Sequence, residues 1–365
     1  MSNPNLSIDD KVTLVNQVGE EIVTKEELVT LLKTKQNPIA YDGFEPSGQI
    51  HIAQGLLRAI NVNKMTTAGF TFKMWVADWF GLINNKMGGD MEKIRNVGMY
   101  FIEVWKASGM NLEKVEFIWA SEFINKHSEY WETVLKIGMR KNLPRVLRTI
   151  EIMGRSDTDT LTAAQVIYPL MQATDIFMLQ ADVAQLGMDQ RKVNMLAREV
   201  AEDIGFTKPI SVSHHMLAGL LPPTDKENEQ AVDRAIRLKM SKSKPDSAIF
   251  MTDSKEDIER KIKNAWAPEG DIKDNPILEY CKYIVFEKVD KMLVERPEKF
   301  GGNVEYSSYL ELEKDYVEKK LFPLDLKNAL AKYLNDFLEP VRRYFEENTE
   351  AKKLKELVES YEITR

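Results

Sequence analysis

At 365 residues the chain is too long for one core of ordinary size and suits two domains, which an apolar content of 43% is enough to fill. Acidic groups outnumber basic ones by 57 to 50, a formal charge of -7; no general affinity for polyanions can be read from that net charge, and any nucleic-acid contact must come from local basic patches. A single cysteine, Cys281, excludes an intrachain disulfide framework and points to a reducing compartment.

The opening MSNPNLSIDD has no basic segment followed by an apolar run, so it does not read as a secretory signal. After an N-terminal helical segment, PIAYDGF reads as a strand and is followed by a helix near Ala53 to Ala68. FTFKMWVAD is a second strand; even extended to FTFKMWVADWFGLI it carries Lys73 and Asp78 and is too short to span a bilayer. A helix near Met91 to Ser108 and the strand VEFIWAS come next. A long helical region from Glu129 to Arg155, helices from Ala163 to Leu179 and from Gln190 to Ile204, and the strand PISVSH complete the series. Strands alternating with helices predict a parallel sheet covered on both faces, with ligands at the carboxyl ends of its strands. From Leu220 to Ser247 the pattern dissolves into a polar loop, and beyond NAWAPEG only apolar spacings of three and four remain. A boundary near Pro268 follows, separating an α/β domain (1–268) from a mainly helical one (269–365). A soluble cytoplasmic protein without membrane contact is the expectation.

Four stretches could carry chemistry. The turn GFEPSGQIH offers backbone N–H groups and the positive end of a helix to an anion, with His51 at its mouth; a lone histidine there is more often a structural hydrogen bonder. LKMSKSKPDS, within a loop of about 237–248, sets Lys239, Lys242 and Lys244 among Ser241, Ser243 and Ser247, which suits a polyphosphate but also a solvated basic loop. In YPLMQATDIFML, Tyr168, Gln172 and Asp175 project from one face of an otherwise apolar helix. That stripe fits either a ligand site or a hydrogen-bonded core cluster. In LGMDQRKVNML, Gly187 permits close backbone approach and Asp189 can accept from a ribose diol or cap a helix.

Taken in order, HIAQ, YPLMQATD, GMDQRK and KMSKS, with EKFGGN and PLDLKN near the C-terminus, resemble the class I aminoacyl-tRNA synthetases. The resemblance is to the tyrosyl-tRNA synthetases of the archaeal and eukaryotic cytoplasmic type, in a plant and protist-like branch, and runs from about Thr24 to Phe345. It implies a Rossmann-like nucleotide-binding domain followed by a helical anticodon-binding domain. It also implies L-tyrosine, ATP with Mg2+ and tRNA(Tyr) as substrates, no tightly bound cofactor, no metal site on the protein, and a homodimer whose interface lies between Gly109 and Arg148.

By position, the resemblance implies that Tyr41 and Asp175 grip the substrate phenol, with Gly43, Asp78, Tyr168, Gln172 and Gln190 around the rest of the amino acid. His51, Gln54, Lys239, Lys242 and Ser243 match the groups that act on the phosphates. Gly187, Asp189, Met216, Leu217, Met240 and Ser241 match the remainder of the ATP site. Arg148 and Arg191 match readers of the acceptor stem, and Arg148 belongs to a basic patch with Lys136, Arg140, Lys141 and Arg145. Phe300 and Asp325 match readers of the anticodon. Ala53 and Gln54 stand where the family signature often has glycine and histidine, and Phe80 and Ile124 where many relatives carry histidine and glutamine. Three other readings share parts of this pattern: the sister enzyme for tryptophan, a nucleotidyltransferase acting on a small phosphorylated substrate, and a synthetase-like RNA-binding protein without catalysis.

Overall fold

The computed structural model describes residues 6–155, 160–223, 234, 237–240 and 244–361. Helices α1 (Ile8–Val18) and α2 (Lys25–Thr34) each begin at a capping box, Ser7 with Asp10 and Thr24 with Glu27, which satisfies backbone N–H groups that a helix start leaves open. Between them lies β1 (Gly19–Val23). The alternating series follows as β2 (Ile39–Phe44), α3 (Leu56–Thr67), β3 (Thr71–Val76), α4 (Asp78–Ile83), α5 (Met91–Ala107) and β4 (Val115–Trp119). It continues with α6 (Ala120–Lys126), α7 (Glu129–Arg140), α8 (Leu143–Leu147), α9 (Ala163–Met178), β5 (Val183–Ala184), α10 (Arg191–Val200) and β6 (Ile210–His214).

The six strands lie in the order β1-β6-β5-β2-β3-β4. All neighbouring pairs are parallel except β1, which runs antiparallel to β6. The expected parallel sheet is thus a mixed one: GEEIV is an edge strand, paired on one side only and half solvated, so its acidic residues mask it. Chain order reverses between β2 and β5, and this switch point opens a crevice at the carboxyl ends of both strands.

Two expectations are corrected by local chemistry. The helical region from Glu129 to Arg155 breaks into α7, α8 and a short 3-10 turn at Ile150–Met153, because Asn142 caps a new helix and Pro144 in its first turn has no N–H to continue the old one. The C-terminal part, α11 (Lys255–Asn264), α12 (Pro276–Tyr280), α13 (Tyr309–Val317), α14 (Pro323–Glu347) and α15 (Thr349–Glu359), also contains a hairpin of β7 (Met292–Val294) and β8 (Val304–Tyr306). Three-residue strands are too short to show a period of two.

Helix α11 packs against α14, and α15 returns to α5. Buried residues from Val15 to Val358 accordingly form one apolar cluster that joins the sheet to the C-terminal helices. A second cluster, including Tyr41, Trp75, Phe80, Tyr130, Tyr168 and Met171, fills the space beneath the crevice. Packing is tight where α5 crosses the sheet: a Cβ on Gly98 would lie 2.6 Å from the Trp119 ring and 2.9 Å from Val76. Gly98→Ala should therefore destabilise the fold by about 1–3 kcal/mol. Urea unfolding would read this, with partial recovery when Trp119→Leu is added; an unchanged midpoint for the single variant contradicts it.

Candidate active site

The switch-point crevice has two halves. In one, Asp175 projects from α9 and is only 1% exposed. Its Oδ1 accepts a hydrogen bond from the Tyr130 hydroxyl at 2.6 Å, and that hydroxyl also lies 2.9 Å from the Met171 carbonyl oxygen. The Trp75 indole N–H faces the same carboxyl without closing a hydrogen bond of normal geometry, and Oδ2 has no partner among the described residues. Burial pushes this carboxyl well above the usual range, although the Tyr130 and Trp75 donors oppose the shift. Tyr41, on β2, is equally buried, and burial with the nearby Asp175 raises its phenol. Gly43 leaves room for it, since a Cβ there would lie 3.1 Å from the Tyr41 hydroxyl.

One turn before Asp175 on α9, Gln172 donates to Gln190 Oε1 at 3.0 Å while its own Oε1 is buried without a partner among the described residues. Gln190 donates in turn to the Ile152 carbonyl at 3.1 Å. Tyr168 donates to Glu45 at 2.5 Å and packs edge-on against Phe80 at 4.9 Å. Phe80 and Ile124 are both buried in the apolar cluster.

Asp78 requires a correction. Its Oδ1 accepts from the backbone N–H groups of Trp79 and Ser121, and its Oδ2 from the Ser121 hydroxyl at 2.5 Å, with Arg95 at 3.4 Å. Both oxygens are occupied and the residue is fully buried. It ties the end of β3 to α6 behind the pocket and presents no open oxygen to a ligand.

In the other half, the His51 turn is stitched by backbone hydrogen bonds to the 249–251 segment, with Ile52 N–H on Ile249 and Met251 N–H on Ile50, both 2.9 Å. The Ala53 methyl packs against the core cluster, and the Gln54 amide oxygen is buried without a partner among the described residues. Gly187 is required here: a Cβ would lie 2.6 Å from Asp189 Oδ1 and 2.7 Å from Met216 Sδ. Asp189 Oδ2 pairs with Lys239 Nζ at 2.8 Å, while Leu217 and Met240 are buried as apolar backing. Ser241, Lys242 and Ser243 lie outside the described residues.

Beneath both halves is a network that sequence reasoning missed. Arg58 of α3 pairs with Asp42 of β2 at 2.6 Å, donates to Gln185 and lies 3.0 Å from the ring nitrogens of His214. Burial raises Asp42 to about 7 even against the Arg58 charge, and burial together with Arg58 holds His214 well below its usual value, hence neutral. Glu45 stood inside the quoted GFEPSG turn and could have been read there. Tyr130 left no signal, being one aromatic residue on an amphipathic helix.

A family model described as "tRNA synthetases class I (W and Y)" matches residues 33–339. The chain belongs to this family. It is 51% identical over 360 residues to a cytoplasmic tyrosine–tRNA ligase of Arabidopsis thaliana, covering 98% of this chain and 90% of that protein. Among solved structures it resembles the tyrosyl-tRNA synthetase of Pyrococcus horikoshii complexed with L-tyrosine, with a TM-score of 0.89 and 39% identity over 96% of this chain and all of that one. It also resembles the Leishmania major enzyme in complex with tyrosinol, at a TM-score of 0.88 and 45% identity over 98% of this chain. The chain spans only 53% of that Leishmania polypeptide.

The residues assigned to tRNA within this family fold are placed unequally. Arg148 is exposed, whereas Arg191 donates to Glu21 of β1 at 2.5 Å. The expected basic patch is partly neutralised, because Lys141 and Arg145 both pair with Glu199 and Lys136 pairs with Glu132. Asp325 sits in the first turn of α14, directly after the exposed side chains of Phe322 and Leu324. Phe300 ends the short turn Glu298–Phe300, and its side chain lies outside what is described.

Removing the Tyr130 hydroxyl leaves a buried carboxyl oxygen unpaired, which costs about 1–3 kcal/mol. Tyr130→Phe should show this in unfolding midpoint, and a variant as stable as the parent would mean that the Tyr130–Asp175 contact carries no net energy.

Proposed function

We propose that this chain is a tyrosine–tRNA ligase that activates L-tyrosine with ATP and transfers the tyrosyl group to the 3′ end of tRNA(Tyr). The observation that carries the reading is the pair of buried acceptors on one face of α9, Asp175 Oδ2 and Gln172 Oε1, which have no partner among the described residues and lie beside Tyr41. Tyrosine has a hydroxyl donor at one end and an ammonium at the other. Phenylalanine would leave the Asp175 end unpaired in a dry site. An indole N–H lacks the acceptor capacity of a phenol that Tyr41 can meet from the opposite side, which disfavours tryptophan.

In the first step a tyrosine carboxylate oxygen attacks the α-phosphorus of ATP, and the bond to the β-phosphate oxygen breaks to release pyrophosphate. In the second a terminal ribose hydroxyl of tRNA(Tyr) attacks the activated carbonyl; AMP leaves with the bridging oxygen. No side-chain nucleophile is needed. The chain's contribution is orientation and charge stabilisation: His51, Gln54 and the turn N–H groups at the phosphates, Lys239, Lys242 and Ser243 on the departing pyrophosphate, and Asp189 on the ribose. Mg2+ enters with ATP on its phosphates; among the described residues no cluster of three His, Cys, Asp or Glu is arranged to hold a metal.

Residues 1–268 would carry this chemistry, and 269–365 would read the anticodon through Phe300 and Asp325. The Arabidopsis relative is named as cytoplasmic, and the same compartment is proposed here. No helix among the described residues is long and apolar enough to cross a membrane.

Tyrosine-dependent ATP–pyrophosphate exchange is the primary test, and exchange driven by tryptophan instead would overturn the assignment. Asp175→Ala should lower tyrosine kcat/KM in exchange by about a hundredfold, the scale of leaving a buried phenol hydroxyl without its partner, while tRNA affinity is preserved. Asp325→Ala should do the reverse, weakening aminoacylation with exchange intact.

A second copy of the chain is the proposed partner on α7. Trp131, Leu135 and Met139 repeat at four-residue intervals on its outer face, exposed by 43%, 67% and 79%, and Leu143 extends the stripe. Leu135→Glu with Met139→Glu should convert a dimer to a monomer in analytical ultracentrifugation; an unchanged mass would place the interface elsewhere.

A further inference from the structure

We propose that Glu279 and His215 are positioning residues for ATP: they fix the backbone on which Lys239 is laid, and so tie the C-terminal helices to the nucleotide half of the site. The inference rests on the tyrosine-ligase reading for its substrates, but the contacts that carry it belong to the fold.

Strand β6 ends at His214, and the next residues lead into the segment that backs the nucleotide half. The His215 ring lies between two carboxylates from distant elements. Its Nδ1 is 3.2 Å from Glu20 of β1 and its Nε2 is 3.2 Å from Glu279 of α12. The ring also stacks on Tyr283, with centroids 4.2 Å apart and planes 10° from parallel.

The same Glu279 oxygen accepts the Ala218 N–H at 2.9 Å, and the hydroxyl of its neighbour Tyr280 donates to the Ala218 carbonyl at 2.8 Å. Both backbone groups of Ala218 are therefore held by consecutive residues of α12. Ala218 in turn forms an antiparallel bridge with Lys239, and the Gly219 N–H donates to the Leu238 carbonyl at 2.6 Å. Gly219 is the residue that permits this approach, since a Cβ would lie 3.0 Å from the Ser247 carbonyl, 3.2 Å from that of Leu238 and 3.4 Å from that of Lys239. Lys239 then reaches Asp189 at 2.8 Å. Directed bonds thus run without interruption from α12 through residue 218 to Lys239 and the ribose-binding aspartate.

The charge on His215 belongs to this arrangement. Burial alone would lower the imidazolium, but hydrogen bonds to Glu20 and Glu279 and their charges outweigh it and push it up to about 9. Burial raises Tyr283 to about 12, burial and Arg58 keep His214 neutral on the inner side, and Lys282 acts on Glu20. Because the folded value lies above the ordinary 6.5, the clasp is fully formed below that pH and is lost as pH rises through about 9.

Pyrophosphate exchange, with ATP and tyrosine varied separately from pH 6.5 to 9.5, tests the inference. Glu279→Gln should raise KM for ATP about tenfold and leave KM for tyrosine within about twofold, the scale of one lost charged hydrogen bond. Its ATP KM should begin to rise at lower pH than the parent's. His215→Lys keeps the charge and should remove the break near pH 9, whereas His215→Gln should lack both charge and break.

Equal rises in both Michaelis constants would mark a general structural role and overturn the inference, as would a Glu279→Gln profile that coincides with the parent's. If Glu279→Gln does not fold, the parent against His215→Lys decides: a break near pH 9 present only in the parent supports the clasp, and coincident profiles reject it. A parent chain without tyrosine-dependent exchange would overturn the functional reading itself. Exchange that is intact but insensitive to these variants removes only the present inference.

Discussion

Everything at the crevice rests on one buried ion pair, Arg58 with Asp42. Arg58 comes from the helix after the His51 turn and Asp42 from the strand before it, while Gln185 and His214 bring in the ends of β5 and β6. The switch point is where strands diverge and their backbones stop pairing; without a tie, the crevice would be a weak seam. Removing one partner of such a pair leaves an uncompensated buried charge, which costs about 3–5 kcal/mol. The pair therefore stabilises this geometry conditionally, since each member is tolerable only while the other is in place. The neutral state of His214 follows from the same constraint, because a second cation beside Arg58 would oppose the first.

The two halves of the site above this tie are prepared differently. In the amino-acid half, neighbours satisfy one oxygen of Asp175 and the amide nitrogen of Gln172, and two acceptors are left open to the ligand. That arrangement favours a rigid, selective pocket, because the unmet bonds are costly until a matching donor arrives. In the nucleotide half, Lys239 and Asp189 satisfy each other. On the proposed reading, ATP would exchange this pair for contacts of its own, which suits a substrate that is bound and released as pyrophosphate and AMP in every cycle.

Much of the fold was legible because alternating apolar strands and amphipathic helices leave a strong periodic trace. What escaped has physical causes in each case. The edge strand Gly19–Val23 carries two glutamates, β5 is two residues long, and the β7–β8 hairpin has three residues in each strand. The glutamates interrupt the apolar run in the first, and the others are too short to show a period. The candidate site was legible where polar groups interrupt an apolar stripe, as with Tyr168, Gln172 and Asp175, all buried on one helix. It was illegible where a residue acts from another element, as with Tyr130 on α7, or where a plausible polar residue turns out to be fully bonded elsewhere, as with Asp78.

The sequence by itself determined the α/β alternation, the helical C-terminal part, the family and the identities of the groups that could meet tyrosine and ATP. Those properties are written in local composition and spacing. Only the tertiary structure decided which of the groups are open and which are occupied among the described residues: Asp175 with one oxygen unmatched, Asp78 with none, Arg191 paired to Glu21, and the basic patch partly neutralised by Glu199. The same holds for the link from Glu279 to Lys239, whose members are far apart in the chain. Hydrogen bonding saturates, and whether an atom already has its partner depends on what the fold brings beside it.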